Sequence, residues 1–148
     1  MKKSIINSEG YGISNGTTTV IALLAGFVAT NVSKIAVLSA LLSLLITDPL
    51  IDAYSIYISM KDTNQVEAFN KFKEIYLSQL IIQGIFLIIV FISPTIYMSF
   101  IILCVLSFCL IMYDFNKRLK EPKIIFIEFL KIIGLILLTF IVNKKALL

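Results

Sequence analysis

The sequence predicts an all-α integral membrane bundle of five transmembrane helices, forming one domain over residues 1–148. Two observations predict it. The chain is 59% hydrophobic with a mean hydropathy of +0.98, above the roughly 45–50% apolar content of soluble domains. Apart from Asp48, Asp52, Glu128 and Lys131, its charges also lie in short segments between long apolar runs. One such run, between Glu74 and Asp114, holds no charge at all.

Taken in order, the first span is expected at about 16–32, inside the uncharged stretch between Glu9 and Lys34. The second is expected at about 35–59, and the short link Asn31–Lys34 makes the first two an antiparallel hairpin. A helix needs about 20 residues to cross a bilayer, so the uncharged run after Glu74 is too long for one crossing. Ser93-Pro94-Thr95 divides it into a third span at about 75–92 and a fourth at about 96–113. The fifth is expected at about 124–142. Between the second and third spans, residues 62–74 read as a short cytoplasmic amphipathic segment. Glu67, Lys71 and Glu74 lie on one face of it, with Val66, Phe69 and Phe72 on the other.

The positive-inside rule orients the bundle. With the N-terminus in the cytoplasm, the inner segments hold Lys2, Lys3, Lys61, Lys71, Lys73, Lys117, Arg118, Lys120 and Lys123, nine basic residues. The outer segments hold three, Lys34, Lys144 and Lys145. Lys131 lies near the inner end of the fifth span, where it is expected to pair with Glu128. The C-terminus then lies outside. The N-terminus lacks the pattern of a cleaved signal peptide.

Composition excludes several chemistries. The chain has no His and no Trp, so histidine metal sites, histidine general bases and serine–histidine triads are ruled out. Cys104 and Cys109 lie within one apolar segment and read as small hydrophobes, not as a disulfide or a metal pair. The net charge of +4 needs no nucleic acid partner, because the basic residues sit at span ends.

The residues that depart most from a lipid-facing helix are Asp48 and Asp52 in the second span. An ionisable residue at membrane depth costs roughly 2.5–3.5 kcal/mol on insertion scales and usually faces a bundle interior or an ion path. The i, i+4 spacing puts both carboxylates on one face, which continues through Ser55, Ser59 and Asp62. Pro49 removes one backbone hydrogen bond and frees a carbonyl near Leu45. Two carboxylates one turn apart in low dielectric resist ionising together, so one would carry a proton until a cation displaces it. A structural role is the competing reading, with the pair bonded to Gln79 and Gln83, also i, i+4, on the third span. On the first span Asn15, Thr19, Ala22, Gly26 and Ala29 share a face of small and polar residues. Such residues permit close helix approach in lipid, either in ordinary packing or beside the aspartate helix or a second copy. Asn15 is expected near Asp52. Glu67 and Glu74 complete the candidate metal ligands, although a solvated charged face is the better explanation of them.

These residues carry a resemblance to a known family. Gly12-Ile13-Ser14-Asn15-Gly16-Thr17-Thr18 followed by Ala22-Leu23-Leu24-Ala25-Gly26 resembles the first span of vacuolar iron transporter-like proteins. Tyr57-Ile58-Ser59-Met60-Lys61 resembles the end of that family's second span. The resemblance covers about residues 10–62. It implies a homodimeric transporter that moves Fe²⁺ or Mn²⁺ out of the cytosol in exchange for protons, along a path between the subunits. The chain departs from the family pattern in three places. Asn15 stands for the first-span aspartate, Asp52 for a second-span methionine and Leu44 for a glutamate. The family's glutamate-rich cytoplasmic domain is reduced to the Glu67/Glu74 segment. Oxygen-only ligands favour Mn²⁺, Ca²⁺ or Mg²⁺ over softer metals.

The leading expectation is therefore a divalent-cation transporter, with no resident cofactor and no enzymatic activity. The alternative is a non-transporting accessory or structural membrane protein that retains the transporter fold. The Asp48–Asp52 spacing also occurs at the metal site of CDP-alcohol phosphotransferases, but their Asp-Gly-x-x-Ala-Arg run is absent here.

Overall fold

In the computed structural model, residues 8–118 are described, together with Leu130, Ile133, Gly134, Leu137 and Ile141. Four helices follow in order: α1 (Ser8–Ala29), α2 (Lys34–Met60), α3 (Gln65–Ile92) and α4 (Ile96–Arg118). The all-α class holds. Gly10–Ala29, Lys34–Met60 and Gln65–Ile92 are long and apolar enough to cross a membrane, and Ile96–Leu110 is a shorter apolar helix. The five-span count is corrected to four described helices, three of them of spanning length. The expected fifth span, with the Glu128–Lys131 pair, lies outside the described residues, apart from the five isolated positions above, which are helical.

Local chemistry sets the boundaries. α1 ends at Ala29, and Asn31 follows in the left-handed region at φ 52°, a conformation Asn tolerates better than most residues. Ser33 caps α2 by accepting from the Ala36 N–H. Asn64 caps α3: it accepts from the Glu67 N–H at 3.1 Å, and its own Nδ2 donates to Glu67 Oε2 at 3.3 Å. α3 stops at Ser93, which is extended ahead of Pro94, as the steric demand of proline requires.

Two expected boundaries are corrected by this. α1 begins at Ser8, so Asn15 lies two turns inside it and not at its mouth. The segment 62–74 is no separate amphipathic helix. From Gln65 it is continuous with the third span, because the Asn64 cap starts one helix of 28 residues. At 1.5 Å per residue that helix is about 42 Å long, against a hydrocarbon core of about 30 Å.

α3 is the central element. It packs along α2 on one side and along α1 on the other, and α4 packs mainly on α1. α1 and α2 touch only over a short stretch, so the first two spans are joined in sequence but parted by the third. One end of the bundle is filled by an apolar cluster that includes Val20, Ile21, Leu24, Val37, Leu41, Phe86, Val90 and Leu103. At that end Lys34 Nζ donates to the carbonyls of Phe91 (2.9 Å) and Ser93 (2.5 Å), a cation at the negative end of α3. Tyr97 Oη donates to Asn31 Oδ1 at 2.8 Å, tying α4 to the turn after α1. The other half of the bundle holds the polar residues described next.

Candidate cation site

Asp48 is the fifteenth of the 27 residues of α2, and Asp52 follows one turn later. α2 runs unbroken through Pro49, which is buried. Gln79 and Gln83 occupy the matching middle of α3. Because α2 and α3 are antiparallel, the two i, i+4 pairs meet in mirrored register. Gln83 Nε2 donates to Asp48 Oδ2 at 2.6 Å, and Gln79 Nε2 donates to Asp52 Oδ2 at 2.7 Å. Asn15 Nδ2, from α1, donates to the same Oδ2 of Asp52. Asp52 thus joins three helices, and Asp48 sits one turn deeper with its own amide. The hydrogen bonds to both carboxylates come from amide side chains.

A close crossing of α1 and α3 builds the third wall. A Cβ placed on Gly12 would lie 2.0 Å from Ser78 Oγ and 3.0 Å from the Ile75 carbonyl oxygen. One placed on Gly16 would lie 3.4 Å from Gln79 Cγ and 3.6 Å from Gln83 Cγ. Two glycines four residues apart let α1 approach α3 closely and bring Asn15 to Asp52. This is the signal that sequence reasoning missed. The Gly12-x-x-x-Gly16 spacing was legible, whereas attention to small residues settled on Ala22, Gly26 and Ala29. Those three are only half-buried, and the core-facing residues of this part of α1 are Val20, Ile21, Leu24, Ala25 and Val28. Of this face Asn15 does reach the aspartate helix, at Asp52, but α1 packs far more along α3 than along α2.

The acidic stripe does not extend beyond the pair. Ser55 and Ser59 are exposed and donate to carbonyls of their own helix, at Ile51 (2.8 Å) and Ile56 (2.7 Å). Asp62 is exposed in the turn after α2. Nor does the structure bring Glu67 or Glu74 to the aspartates. They precede Gln79 on α3 by twelve and five residues, about 18 and 8 Å of helix rise. Glu67 is occupied at the Asn64 cap, and Glu74 is exposed. Among the described residues no three Asp, Glu, Cys or His side chains converge as a metal-binding group. The donor set at the site is two carboxylates and three amides, all of them oxygen-bearing and hard.

Among the described residues three buried side-chain polar atoms have no hydrogen-bond partner: Gln79 Oε1, Gln83 Oε1 and Thr17 Oγ1. Their residues are 0%, 3% and 1% exposed. Cys104 is half-buried and Cys109 exposed, and neither joins the site.

The described residues thus form an all-α bundle with three helices of membrane-spanning length and a polar cluster at mid-helix. No family model, curated protein or solved structure matches it.

Proposed function

We propose that the chain is a divalent-cation transporter, carrying Fe²⁺ or Mn²⁺ out of the cytosol in exchange for protons. Asp48, Asp52 and Asn15 form its cation site. The observation that carries this reading is the placement of two aspartates at the middle of a spanning helix, each hydrogen-bonded to amide side chains. An energetic comparison supports it. Interhelical hydrogen bonds in membrane proteins average about 0.6 kcal/mol, so the three bonds here contribute on the order of 2 kcal/mol. Two aspartates at membrane depth cost roughly 5–7 kcal/mol. The cluster therefore loses stability as a packing device, and such sites are usually functional.

The resemblance of residues 10–62 to vacuolar iron transporter-like proteins points the same way. It adds a homodimer with a shared path, five spans, a cytoplasmic N-terminus and an outer C-terminus. Glu67 and Glu74 sit where a reduced cytoplasmic collecting segment would be, at the start of α3. One observation favours the alternative of a non-transporting accessory protein: the described residues hold no cluster of three acidic or thiol ligands.

Vesicles reconstituted with the full chain and loaded with a Mn²⁺-quenched dye decide between the two. The transporter reading expects Mn²⁺ flux in the wild type, with at least a tenfold loss in Asp48→Asn/Asp52→Asn. Equal flux in the double variant would remove the aspartates from the path. No flux in the wild type, with Mn²⁺ or with Fe²⁺, would favour the accessory protein.

A further inference from the structure

We propose that Gln79 and Gln83 are cation ligands in their own right and that each works as a two-position amide. In one position Nε2 faces the carboxylate, and with a cation bound Oε1 takes its place. The inference rests on the reading of Asp48 and Asp52 as cation ligands.

Three observations lead to it. First, each carboxamide already points into the site, with its nitrogen 2.6–2.7 Å from a carboxylate oxygen. Second, in that position each Oε1 is buried without a partner. A buried polar atom left unpaired is costly, and native structures rarely keep one without use. Two such atoms, one turn apart on α3 and each on an amide that touches an aspartate, are poor packing but a ready pair of ligands. Third, α1 borders both amides at Gly16, where a Cβ would lie 3.4 Å from Gln79 Cγ and 3.6 Å from Gln83 Cγ, so the two carboxamides share one seam between α1 and α3.

The chemistry is that of a carboxamide beside a carboxylate. An anionic oxygen takes an N–H donor, whereas a cation takes a carbonyl oxygen. Rotation by about 180° about the terminal torsion exchanges them, and that torsion is broad and roughly two-fold, so the backbone stays in place. The amide nitrogen that turns away then needs an acceptor. Thr17 Oγ1, next in the chain to Gly16, is buried and without a partner among the described residues, and is the acceptor assigned to one of the two amides. With both amides turned, the site offers two carboxylates and two amide carbonyls, an oxygen set that suits hard cations. The glutamines would thus set selectivity for Mn²⁺, Ca²⁺ or Mg²⁺ over softer ions, while the aspartates supply the charge.

The test uses Eu³⁺, a hard luminescent cation whose lifetimes in H₂O and D₂O count the waters left on the ion, with the full chain in detergent. Eu³⁺ should bind the wild type and should not bind Asp48→Asn/Asp52→Asn. Gln79→Met and Gln83→Met keep side-chain length and remove the oxygen. Each should add about one water to the bound ion and weaken binding about tenfold, and the double variant should add about two. Unchanged water counts in both Met variants, with binding still lost in the double Asn variant, overturn the ligand role of the glutamines and leave the aspartate site standing. Failure of the wild type to bind Eu³⁺ removes the aspartate site and this inference with it. Should the Met variants fail to fold, Gln79→Asn and Gln83→Asn keep the carboxamide and shorten its reach by one carbon, so the carbonyl oxygen no longer reaches the ion. A gain of water there supports the two-position amide, and an unchanged count and affinity overturn it.

Discussion

At the scale of single residues, the two aspartates have different surroundings, and that difference predicts different mutant behaviour. Asp52 accepts from Asn15 and Gln79, while Asp48 accepts from Gln83. Replacing Asp52 with Asn keeps an oxygen that can accept and removes the charge. Its folding stability is expected to equal or exceed the wild type by on the order of 1 kcal/mol, because the insertion cost of the carboxylate outweighs the bonds it makes. Replacing Asp52 with Ala instead leaves two amide donors without their acceptor. That variant should be less stable than the Asn variant by about 1–3 kcal/mol. Unfolding of both in mixed micelles gives the comparison, and equal stability of Asn and Ala would show that the three-helix junction holds nothing. The pairing of Asp48 and Asp52 with Gln79 and Gln83 was legible in the sequence because two i, i+4 polar pairs in adjacent antiparallel spans have one natural register. The exclusion of Ser55 and Ser59 was not legible. A serine hydroxyl in a helix satisfies itself on a carbonyl three or four residues back, and spacing alone does not show whether it does.

At the scale of elements, the contact that positions the site is the crossing of α1 and α3. Gly12 and Gly16 belong to the same spacing, yet the space beside them differs. An alanine at Gly12 meets a backbone carbonyl at 3.0 Å and Ser78 Oγ at 2.0 Å, whereas one at Gly16 meets a side-chain carbon at 3.4 Å. Ser78 can turn aside, but the Ile75 carbonyl is fixed in its helix. Gly12→Ala is therefore expected to cost about 1–3 kcal/mol, the range for overpacking a close contact, and Gly16→Ala less than about 1 kcal/mol. Adding Ser78→Ala to Gly12→Ala should recover part of the loss. If Gly16→Ala proves the more damaging of the two, the close approach lies elsewhere along α1. Helix type and rough extent followed from hydropathy and from Pro94, whereas neighbour order did not. A short link implies that α1 and α2 run antiparallel, but not that they pack side by side, and here α3 lies between them. The start of α3 was misplaced for a related reason. The Asn64–Glu67 cap begins the helix ten residues before the apolar run, and hydropathy is blind to a cap.

At the scale of the whole molecule, the described bundle is covered in large exposed apolar residues, from Ile35, Leu42, Ile46 and Leu50 on α2 to Ile81, Ile88 and Phe91 on α3. An apolar groove of about 390 Å³ between α2 and α3 opens on this surface. Contact with lipid accounts for such a surface. The proposed orientation is open to labelling once Cys104 and Cys109 are replaced with Ala. A cysteine at Asn31 should react with an impermeant reagent from outside, and one at Thr63 only after the membrane is opened. The reverse pattern would invert the bundle.

The same surface bears on the proposed homodimer. In lipid, two copies gain little from apolar burial and associate where small residues let backbones approach. α1 turns Val20, Leu24 and Val28 into its own core and leaves Ala22, Gly26 and Ala29 half-buried on another face. If that face meets its copy, Gly26→Leu should shift the dimer towards monomer by about tenfold or more in dissociation constant while leaving the fold intact. Cross-linking and light scattering across a detergent dilution series measure this. Dimers that persist unchanged in Gly26→Leu would move the interface to the exposed hydroxyl-bearing face of α2, where Ser39, Ser43 and Thr47 recur every fourth residue. A wild type found only as monomer would end the shared-path model and leave each chain to carry its cation alone, between α1, α2 and α3.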